Sequence, residues 1–314
     1  MVFFKSSREA LAEITRLYDF IWPTVAAMWN LRWQVKGYVL VNPEATQQEL
    51  INRFVKGSGV NSVNFKASII ERDWEDQLQD FAQILLTNIF AIHESWLAEI
   101  MNVLDPPRLP GVKISYAKEM EFPTNGPTGI LYAIGSLCSN ESTMLKNAFY
   151  AQLLTDSKNS IANLDNLLKC YRFFKECRNC CIHHGGYANA RLVARYQEFA
   201  AVSSPARLDV KEVPRHSSVS LNDKVKLDLR GVVGFSDVVI RIITTCDAEL
   251  ARSIYAEKEF ESVYTEKGQR GRTLKKDPTE RSKQVSRYVR RIGYPVPLVT
   301  NDIEQFLLQK HLVY

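Results

Sequence analysis

Apolar residues recur at three- and four-residue steps along most of the chain, which is the pattern of amphipathic helices. The first such run covers residues 9–36, and Pro23 within it predicts a kink or a division of that helix. A short helix is predicted over residues 43–54, where Thr46 and Glu49 have the spacing of a capping box. Further helices are predicted over residues 64–104, 130–154, 156–183, 188–200, 281–292 and 302–310.

The pattern changes after Pro205, where apolar and polar residues begin to alternate. The alternation from Val219 to Leu229 surrounds Asn222-Asp223, and this arrangement is typical of a β-hairpin with a tight turn. Ser236 is then placed to cap a helix that runs to about residue 254. The sequence therefore predicts a mainly α protein with a small β-hairpin insertion and a short C-terminal helical extension.

Two breaks in the pattern divide the chain into three segments. Gly57-Ser58-Gly59 interrupts the helical periodicity, and the polar stretch over residues 265–281 contains two glycines and a proline. We predict an N-terminal helical region over residues 1–57 and a helical core with the hairpin over residues 58–264. A basic linker and the helical extension then occupy residues 265–314.

The composition is that of an ordinary globular protein, with 46% hydrophobic and 24% charged residues in 314. Residues 1–8 lack the apolar segment and the small-residue cleavage site of a signal peptide. The most apolar stretch, residues 81–101, is interrupted by polar residues, among them Gln83, Thr87, Asn88, His93, Glu94 and Glu99, which are too many for a membrane span. We therefore expect a soluble, cytoplasmic protein that does not enter a membrane.

Positive charge is concentrated near the C-terminus. Residues 267–291 contain ten Lys or Arg against two acids, while the whole chain carries a net charge of only +5. Such a segment favours a phosphate-rich partner such as RNA, with a simply solvated basic surface as the alternative. Tyr288 and Tyr294 lie nearby and are candidates to stack on bases. The candidate RNA-binding residues are Lys275, Lys276, Arg287, Arg290 and Arg291.

A guanidinium interrupts the apolar face of the helix predicted over residues 156–183. Arg178 follows Phe174 by four residues and takes a core position. Because burying an unpaired charge is costly, a carboxylate, a subunit interface or an anionic ligand should lie opposite it. His183 comes five residues later, where Gly185-Gly186 ends the helix, and histidine titrates near neutral pH.

Arginine and histidine are suited to cleaving RNA without a metal ion or another cofactor. A neutral imidazole can take the proton from a ribose 2′-hydroxyl, whose oxygen then attacks the adjacent phosphorus. An arginine offers paired donors to the charge that develops on the phosphorane oxygens. Asn179 is a candidate to orient the phosphate or to brace the loop.

Arg178-Asn179, three further residues, then His183 and Gly186 resemble the signature of HEPN-domain proteins. The resemblance covers about residues 64–260. It implies an antiparallel helical bundle that forms a homodimer, in which arginine and histidine from two chains share one cleft. Glu94 matches the acidic residue that many members carry on the preceding core helix. His184 stands where relatives tend to have a small polar residue, so both histidines remain candidates for the proton carrier.

The resemblance also implies an activity. Many members are metal-independent endoribonucleases of toxin, abortive-infection and antiviral systems, and their products end in a 2′,3′-cyclic phosphate. An antitoxin or a sensor partner would restrain such an enzyme in the cytoplasm. Catalytically inactive members bind RNA, nucleotides or partner proteins instead.

Two other interpretations use the same residues. In the first, Arg178 forms a structural salt bridge with Glu94, and His183 interacts favourably with the helix dipole. In the second, Cys177, Cys180 and the two histidines bind zinc, although a structural zinc site normally takes two ligands from each of two segments and no second pair is evident. The six cysteines are expected to be reduced.

Overall fold

Helices dominate the computed structural model, which describes residues 1–60, 62–104, 130–267 and 271–314. The mainly α class predicted from the periodicity is confirmed. Single π-helical turns occur at Lys66–Ile70 and Lys146–Tyr150, and a 3₁₀ turn at Ile161–Asn163. The α-helices of the described ranges are α1 Lys5–Val41, α2 Gln47–Phe54, α3 Trp74–Leu104, α4 Ile130–Leu137, α5 Thr143–Leu145, α6 Ala151–Leu154, α7 Leu164–His183, α8 Ala190–Ala200, α9 Pro205–Leu208, α10 Leu229–Ala251, α11 Ile254–Glu266, α12 Pro278–Arg291 and α13 Asn301–Gln309.

The central packing joins α3, α7 and α10. Phe90 of α3 contacts Tyr171 of α7, with 5.0 Å between ring centroids, and Phe235 of α10 at 5.2 Å. Phe174 of α7 stacks on Phe235 at 4.6 Å. Apolar residues surround α10, which is therefore buried on most of its circumference and acts as the core helix. The first half of α1 packs on this core through Ile14 and Ile21 and the residues around them.

A buried carboxylate fixes the beginning of the chain to α10. Asp247 is fully buried and accepts hydrogen bonds from the backbone N–H groups of Phe3 (2.5 Å) and Phe4 (3.0 Å). Burial raises the pKa of Asp247 to about 6, against the opposing effect of those two hydrogen bonds. Phe3 also packs on Tyr294, so residues from both ends of the sequence share one core.

The C-terminal helices pack on the same buried cluster. Val285 and Val289 of α12 and Leu307 of α13 are fully buried in it. The final residues pair with the segment before α12, because the N–H of Leu274 donates to the carbonyl of Tyr314 and the N–H of Tyr314 donates to that of Arg272. The three-segment division of the chain stays a prediction about folding units.

A second, small cluster lies at the far end of α1. It is made by the second half of α1, by α2 and by the π-helical turn before α3. Thr46 and Glu49 form the predicted capping box at the start of α2, with the Thr46 N–H donating to the Glu49 carboxylate at 2.8 Å. The buried residues of this cluster are Val35, Leu50, Val55, Phe65 and Ile69.

Several local expectations differ from the structure, in part or in full. Of the two outcomes predicted for Pro23, the division does not occur, because α1 continues through that residue to Val41. The helix predicted over residues 130–154 is interrupted between α4 and α5. The cap of α10 is Asp228, whose carboxylate accepts from the N–H of Gly231 at 2.8 Å, whereas Ser236 lies buried inside the helix, where Tyr18 donates to its hydroxyl.

The predicted β-hairpin over residues 219–229 is not formed, and the described residues contain no β-strand. The turn at Asn222-Asp223 is present, with Asn222 at φ +66°. Its flanks do not pair with each other, because Lys224 forms an antiparallel bridge with Tyr187 instead. The backbone of this loop therefore pairs with the segment that leaves α7.

Helix α3 is long and apolar enough to cross a membrane by length and composition alone. In its most apolar window, 44% of the residues are buried inside the protein. The same helix supplies Phe90 and the fully buried His93 to the core.

Candidate functional site

The end of α7 is shaped by two glycines with positive φ. Gly185 has φ +63° and Gly186 has φ +83°, a region that side chains with a Cβ rarely adopt. The N–H groups of His184 and Gly186 both donate to the carbonyl of Cys180 at 3.0 Å. These bonds satisfy a helix-end carbonyl and end α7 at His183, as the sequence predicts.

Arg178 and Glu94 form an ion pair between α7 and α3. The distance from Nη2 of Arg178 to Oε1 of Glu94 is 3.1 Å. The arginine side chain is 18% exposed and the glutamate 40%, so the pair lies at the edge of the core. The guanidinium carbon lies 5.4 Å from the ring centroid of Phe90, which adds a cation–π contact. Of the three partners expected for Arg178, the fold supplies the carboxylate.

The ion pair extends into a chain of polar contacts that reaches α8. Arg178 Nη1 donates to Oδ1 of Asn179 at 3.1 Å, and Asn179 Nδ2 is 3.4 Å from Oε1 of the buried Glu176. Glu176 in turn forms a 3.2 Å ion pair with Nε of Arg191. The sequence predictions included Glu94, Arg178 and Asn179 but missed the last two residues. Glu176 was detectable, because it precedes Asn179 by three positions on the helix.

His183 and His184 lie outside this chain of contacts, and both are exposed. Five residues of α-helix separate Arg178 from His183, which corresponds to about 140° around the axis and about 7.5 Å along it. Their side chains therefore leave α7 in different directions. The fold brings Glu94, Arg178 and Asn179 together and presents His183 to solvent one turn further on.

A polar cleft of about 300 Å³ adjoins the Gly185-Gly186 turn. Its floor is the junction between that turn and the loop that carries Lys224, where the N–H of Val225 donates to the carbonyl of Gly186 at 2.8 Å. On the opposite wall, Gln79 of α3 donates to the carbonyl of Val225 at 3.3 Å. The remaining lining residues are Arg72, Asp76, Asp80, Gln83 and Cys181.

No family model matches this chain, and no curated protein or solved structure is significantly similar to it.

The five candidate RNA-binding residues are all exposed. Arg287 and Arg290 lie on one face of α12, because positions three and four apart on a helix are neighbours. Among the described residues none of the five forms an ion pair within 4.0 Å. The five residues, which we call the basic face, are Lys275, Lys276, Arg287, Arg290 and Arg291.

The base-stacking expectation for the two nearby tyrosines is wrong, because both are buried. The hydroxyl of Tyr294 donates to Glu259, and its ring packs on Phe3 and Phe260. The ring of Tyr288 is covered by the guanidinium of Arg272 at 5.6 Å. Their apolar surface belongs to the core.

The cysteines near the site are free thiols with little access to solvent. Cys177 and Cys180 are buried, and burial raises the pKa of both, most strongly for Cys177. The pKa of Cys181 is raised to about 11 by the same cause. Within the described ranges, no three His, Cys, Asp or Glu side chains are grouped so that they could hold a metal ion. The zinc interpretation therefore has no ligand set there.

Proposed function

We propose that the protein is a metal-independent endoribonuclease of the HEPN type, which acts as a homodimer. The observation that supports this best is the combination at the end of α7. A half-buried arginine is held by Glu94 and Asn179, and an exposed histidine follows at the helix terminus. The positive charge of an arginine stabilises the negative charge on phosphorane oxygens, and an exposed imidazole can reach a ribose hydroxyl.

In this mechanism the imidazole of His183 removes the proton from the 2′-hydroxyl of the substrate. The 2′-oxygen attacks the adjacent phosphorus, and the bond to the 5′-oxygen of the next nucleotide breaks. The departing 5′-oxygen takes up a proton from water, and the imidazolium of His183 returns its proton to solvent. Arg178 stabilises the negative charge on the phosphorane oxygens, while Glu94 and Asn179 keep the guanidinium in place. The products end in a 2′,3′-cyclic phosphate and a 5′-hydroxyl. His184 is the alternative proton carrier.

A site shared between the two chains of the dimer would explain how Arg178 and His183 act together although they leave α7 in different directions. If Arg178 of one chain faces His183 of the other, the 140° separation within a chain is no obstacle. The basic face, on α12 and the segment before it, would contribute RNA affinity without base recognition. A toxin or antiviral role in the cytoplasm, restrained by an antitoxin or sensor, accompanies this proposal.

The test is cleavage of total RNA in EDTA by the wild type and by matched variants. His183→Ala should lower the rate by about 10² or more, as is typical for loss of a general base. His311→Ala removes an exposed histidine far along the chain and should leave the rate unchanged. Equal, negligible cleavage by the wild type and His183→Ala would contradict the nuclease proposal, and His184→Ala identifies the proton carrier.

Mixing two inactive variants tests the composite site. A dimer of Arg178→Ala with His183→Ala retains one complete site if the two residues come from different chains. Activity should then reappear on mixing, up to about half that of the wild type in the mixed dimers. Activity that stays absent would place the arginine and histidine of each site in the same chain.

A second candidate function is an inactive module of the same fold that binds RNA, a nucleotide or a partner protein. The observation that favours it is that both terminal nitrogens of Arg178 already contact protein groups, Glu94 and Asn179. RNA binding without cleavage, unaffected by His183→Ala, is the result expected for this alternative.

A further inference from the structure

Most of the tryptophan of this protein lies on the outside of α1. The chain has five tryptophans, of which Trp22, Trp29 and Trp33 lie on α1, and Trp74 contacts Trp29. The side chains of Trp22, Trp29 and Trp33 are 45%, 39% and 60% exposed. Exposed apolar surface of this kind marks an interaction site in most soluble proteins.

Four exposed apolar residues of α1, Trp22, Trp29, Trp33 and Leu40, fall on a heptad spacing, which Ala26 and the partly buried Lys36 complete. Steps of four, three, four, three and four residues connect the positions, which keeps them on one narrow face of the helix. That face is about 27 Å long, since its two ends are eighteen positions apart on the α-helix. Leu40 at its end is 82% exposed. The residues of this tryptophan seam are Trp22, Ala26, Trp29, Trp33, Lys36 and Leu40.

The indole rings of the seam are held in place by one another. Trp29 packs edge-on against Trp33, with 5.5 Å between centroids, and against Trp74 at 5.0 Å. Trp22 stacks on Tyr18 at 5.9 Å. Rigid aromatic side chains lose little conformational entropy on association, which is why tryptophan dominates the energetics of many interfaces.

The part of α1 that carries the seam has little support from the rest of the protein. From about residue 28 onward it packs largely on the small second cluster, which in the described part of the chain has five buried apolar residues and nine partly buried ones around them. A cluster of that size contributes little stability alone. Covering the seam would bury both the indoles and this half of the helix.

We infer that the tryptophan seam pairs antiparallel with the same seam of a second copy of this chain. In antiparallel coiled coils the first and fourth heptad positions face each other, and here that register is centred on position 31. It places Trp29 opposite Trp33, Trp22 opposite Leu40, and the small Ala26 opposite the long stem of Lys36. Every layer then contains two residues of the seam, one from each chain. Two identical helices can therefore form the interface without a different partner.

The area of the seam also fits this occupant. At 150–250 Å² for each fully buried aromatic side chain, the exposed parts of the three indoles and Leu40 amount to roughly 400 Å². Val41, which is 79% exposed, extends this surface at its end. Two such seams together bury about 1,000 Å², which is the lower limit for a specific interface.

The charges of α1 argue against a membrane surface as the occupant. Between residues 22 and 40 the helix has two charged residues, Arg32 and Lys36, and Arg32 is buried, where it donates to the carbonyl of Ile69 and to Gln77. A helix that lies in a membrane interface typically has a polar face rich in Lys and Arg. This part of α1 has no such polar face.

This pairing is separate from the candidate site at the end of α7. On α3, Trp74 is on the side of the seam, whereas Gln79 and Gln83 line the cleft beside Gly185 from the other side, about 140–180° around the helix. The two interfaces can therefore be tested independently. The RNA-cleavage assay reports only on the α7 site.

Engineered disulfides test the register on the full chain. In Ala26→Cys/Lys36→Cys, oxidation should give a covalent dimer, because position 26 of one chain faces position 36 of the other. Within one chain these positions are about 15 Å apart along the helix, too far for a disulfide. Ala26→Cys alone and Lys36→Cys alone should stay monomeric on a non-reducing gel. A covalent dimer of Ala26→Cys alone would indicate parallel pairing and overturn the inference.

Mass measurement by light scattering tests the surface itself. Trp33→Glu should halve the mass of the wild-type assembly, whereas Phe20→Glu, an equally exposed aromatic outside the seam, should leave it unchanged. An unchanged mass for Trp33→Glu overturns the inference. So does a monomeric wild type, including one that sediments with phosphatidylcholine or phosphatidylglycerol vesicles, which would make the seam a membrane contact.

Discussion

Arg178 on α7 and Glu94 on α3 are 84 positions apart in sequence, and their side chains are 3.1 Å apart at the edge of the core. The guanidinium takes a position in the apolar periodicity where a hydrophobic residue would otherwise pack. The contact therefore fixes the register between two core helices, whether or not Arg178 also meets a phosphate. Its contribution to stability can be measured apart from any activity.

Glu94→Gln should lower the free energy of unfolding by about 1–2 kcal/mol, because the substitution removes the charge opposite a guanidinium that is largely shielded from solvent. Urea denaturation at pH 7 measures this. Glu9→Gln is the control, since the Lys5–Glu9 pair is exposed on both sides and should be worth less than about 0.5 kcal/mol. Equal effects of the two substitutions would contradict a stabilising role for the Arg178 pair.

The buried His93 should make the fold sensitive to acid. Burial, with a smaller effect of the nearby Lys175, lowers its pKa to about 3 from an ordinary value of 6.5. The unfolded chain binds a proton below about pH 6.5 and the folded chain does not until about pH 3. The free energy of unfolding therefore decreases as the pH falls below about 6.5. The decrease is at most about 1.4 kcal/mol per pH unit.

Comparison of the wild type with His93→Gln isolates this effect. Burial raises the pKa values of Glu259 and Asp247 to about 7 and about 6, so these two groups stabilise the fold as the pH falls. Both groups are present in the wild type and in the variant, and their effect cancels in the difference. Unfolding in urea at pH 7, 6 and 5 should show the wild type losing more stability than the variant. Parallel pH profiles would show that His93 is not responsible.

Gly186→Ala should destabilise the protein by about 1–2 kcal/mol. No heavy atom lies within 4 Å of a Cβ added there, so the cost comes from the positive φ and not from a steric clash. Gly135→Ala is the matched control, because Gly135 lies in α4 with open space around it, and alanine should stabilise that helix by up to about 1 kcal/mol. Thermal unfolding of both variants measures the contrast. A neutral Gly186→Ala would show that the turn adopts another conformation.

The sequence predicts elements well where the information is local. The apolar steps of α12 and α13 and the Thr46–Glu49 capping box depend on residues within one or two turns, and all three were predicted correctly. Asn222-Asp223 was likewise recognised as a turn. The partner of the adjacent Lys224 was not, because Tyr187 precedes it by 37 positions and nothing in the local alternation selects that edge over a hairpin.

The candidate site was predictable to a similar degree. Arg178 on an apolar face requires a partner on energetic grounds, and Glu94 was a candidate because it matches the acidic residue that many HEPN proteins carry on the preceding core helix. Ser236 was mistaken for a cap, since its burial depends on a hydroxyl partner, Tyr18, that lies 218 positions away. The burial of Tyr294 against Phe3 likewise depends on contacts between the two ends of the sequence.

The salt dependence of RNA binding should depend on the number of positive charges on the basic face. The double variant Arg287→Gln/Arg290→Gln should reduce the slope of log affinity against log salt concentration by about 1.4, since each lost phosphate contact on single-stranded RNA contributes about 0.7. Fluorescence anisotropy with a labelled single strand, in the His183→Ala background to prevent cleavage, measures the slope.

The control for this experiment is Lys5→Gln/Arg16→Gln, which removes two exposed charges from α1. It should leave the slope within error of the parent protein. Equal reductions in the two double variants would indicate attraction by net charge alone, and an unchanged slope in Arg287→Gln/Arg290→Gln would exclude α12 from the RNA contact.

The anchoring of Phe3 and Phe4 by Asp247 also determines the order of events during synthesis. A ribosome that adds about 5–20 residues per second needs roughly 12–50 s to make the residues between Phe4 and Asp247. Throughout that interval the two phenylalanines have no Asp247 to bind their backbone and no Tyr294 to cover Phe3. Residues that are translated well before the rest of this core are thus among the last to reach their final positions, and a chaperone that recognises exposed aromatic segments would bind the segment around Phe3 and Phe4.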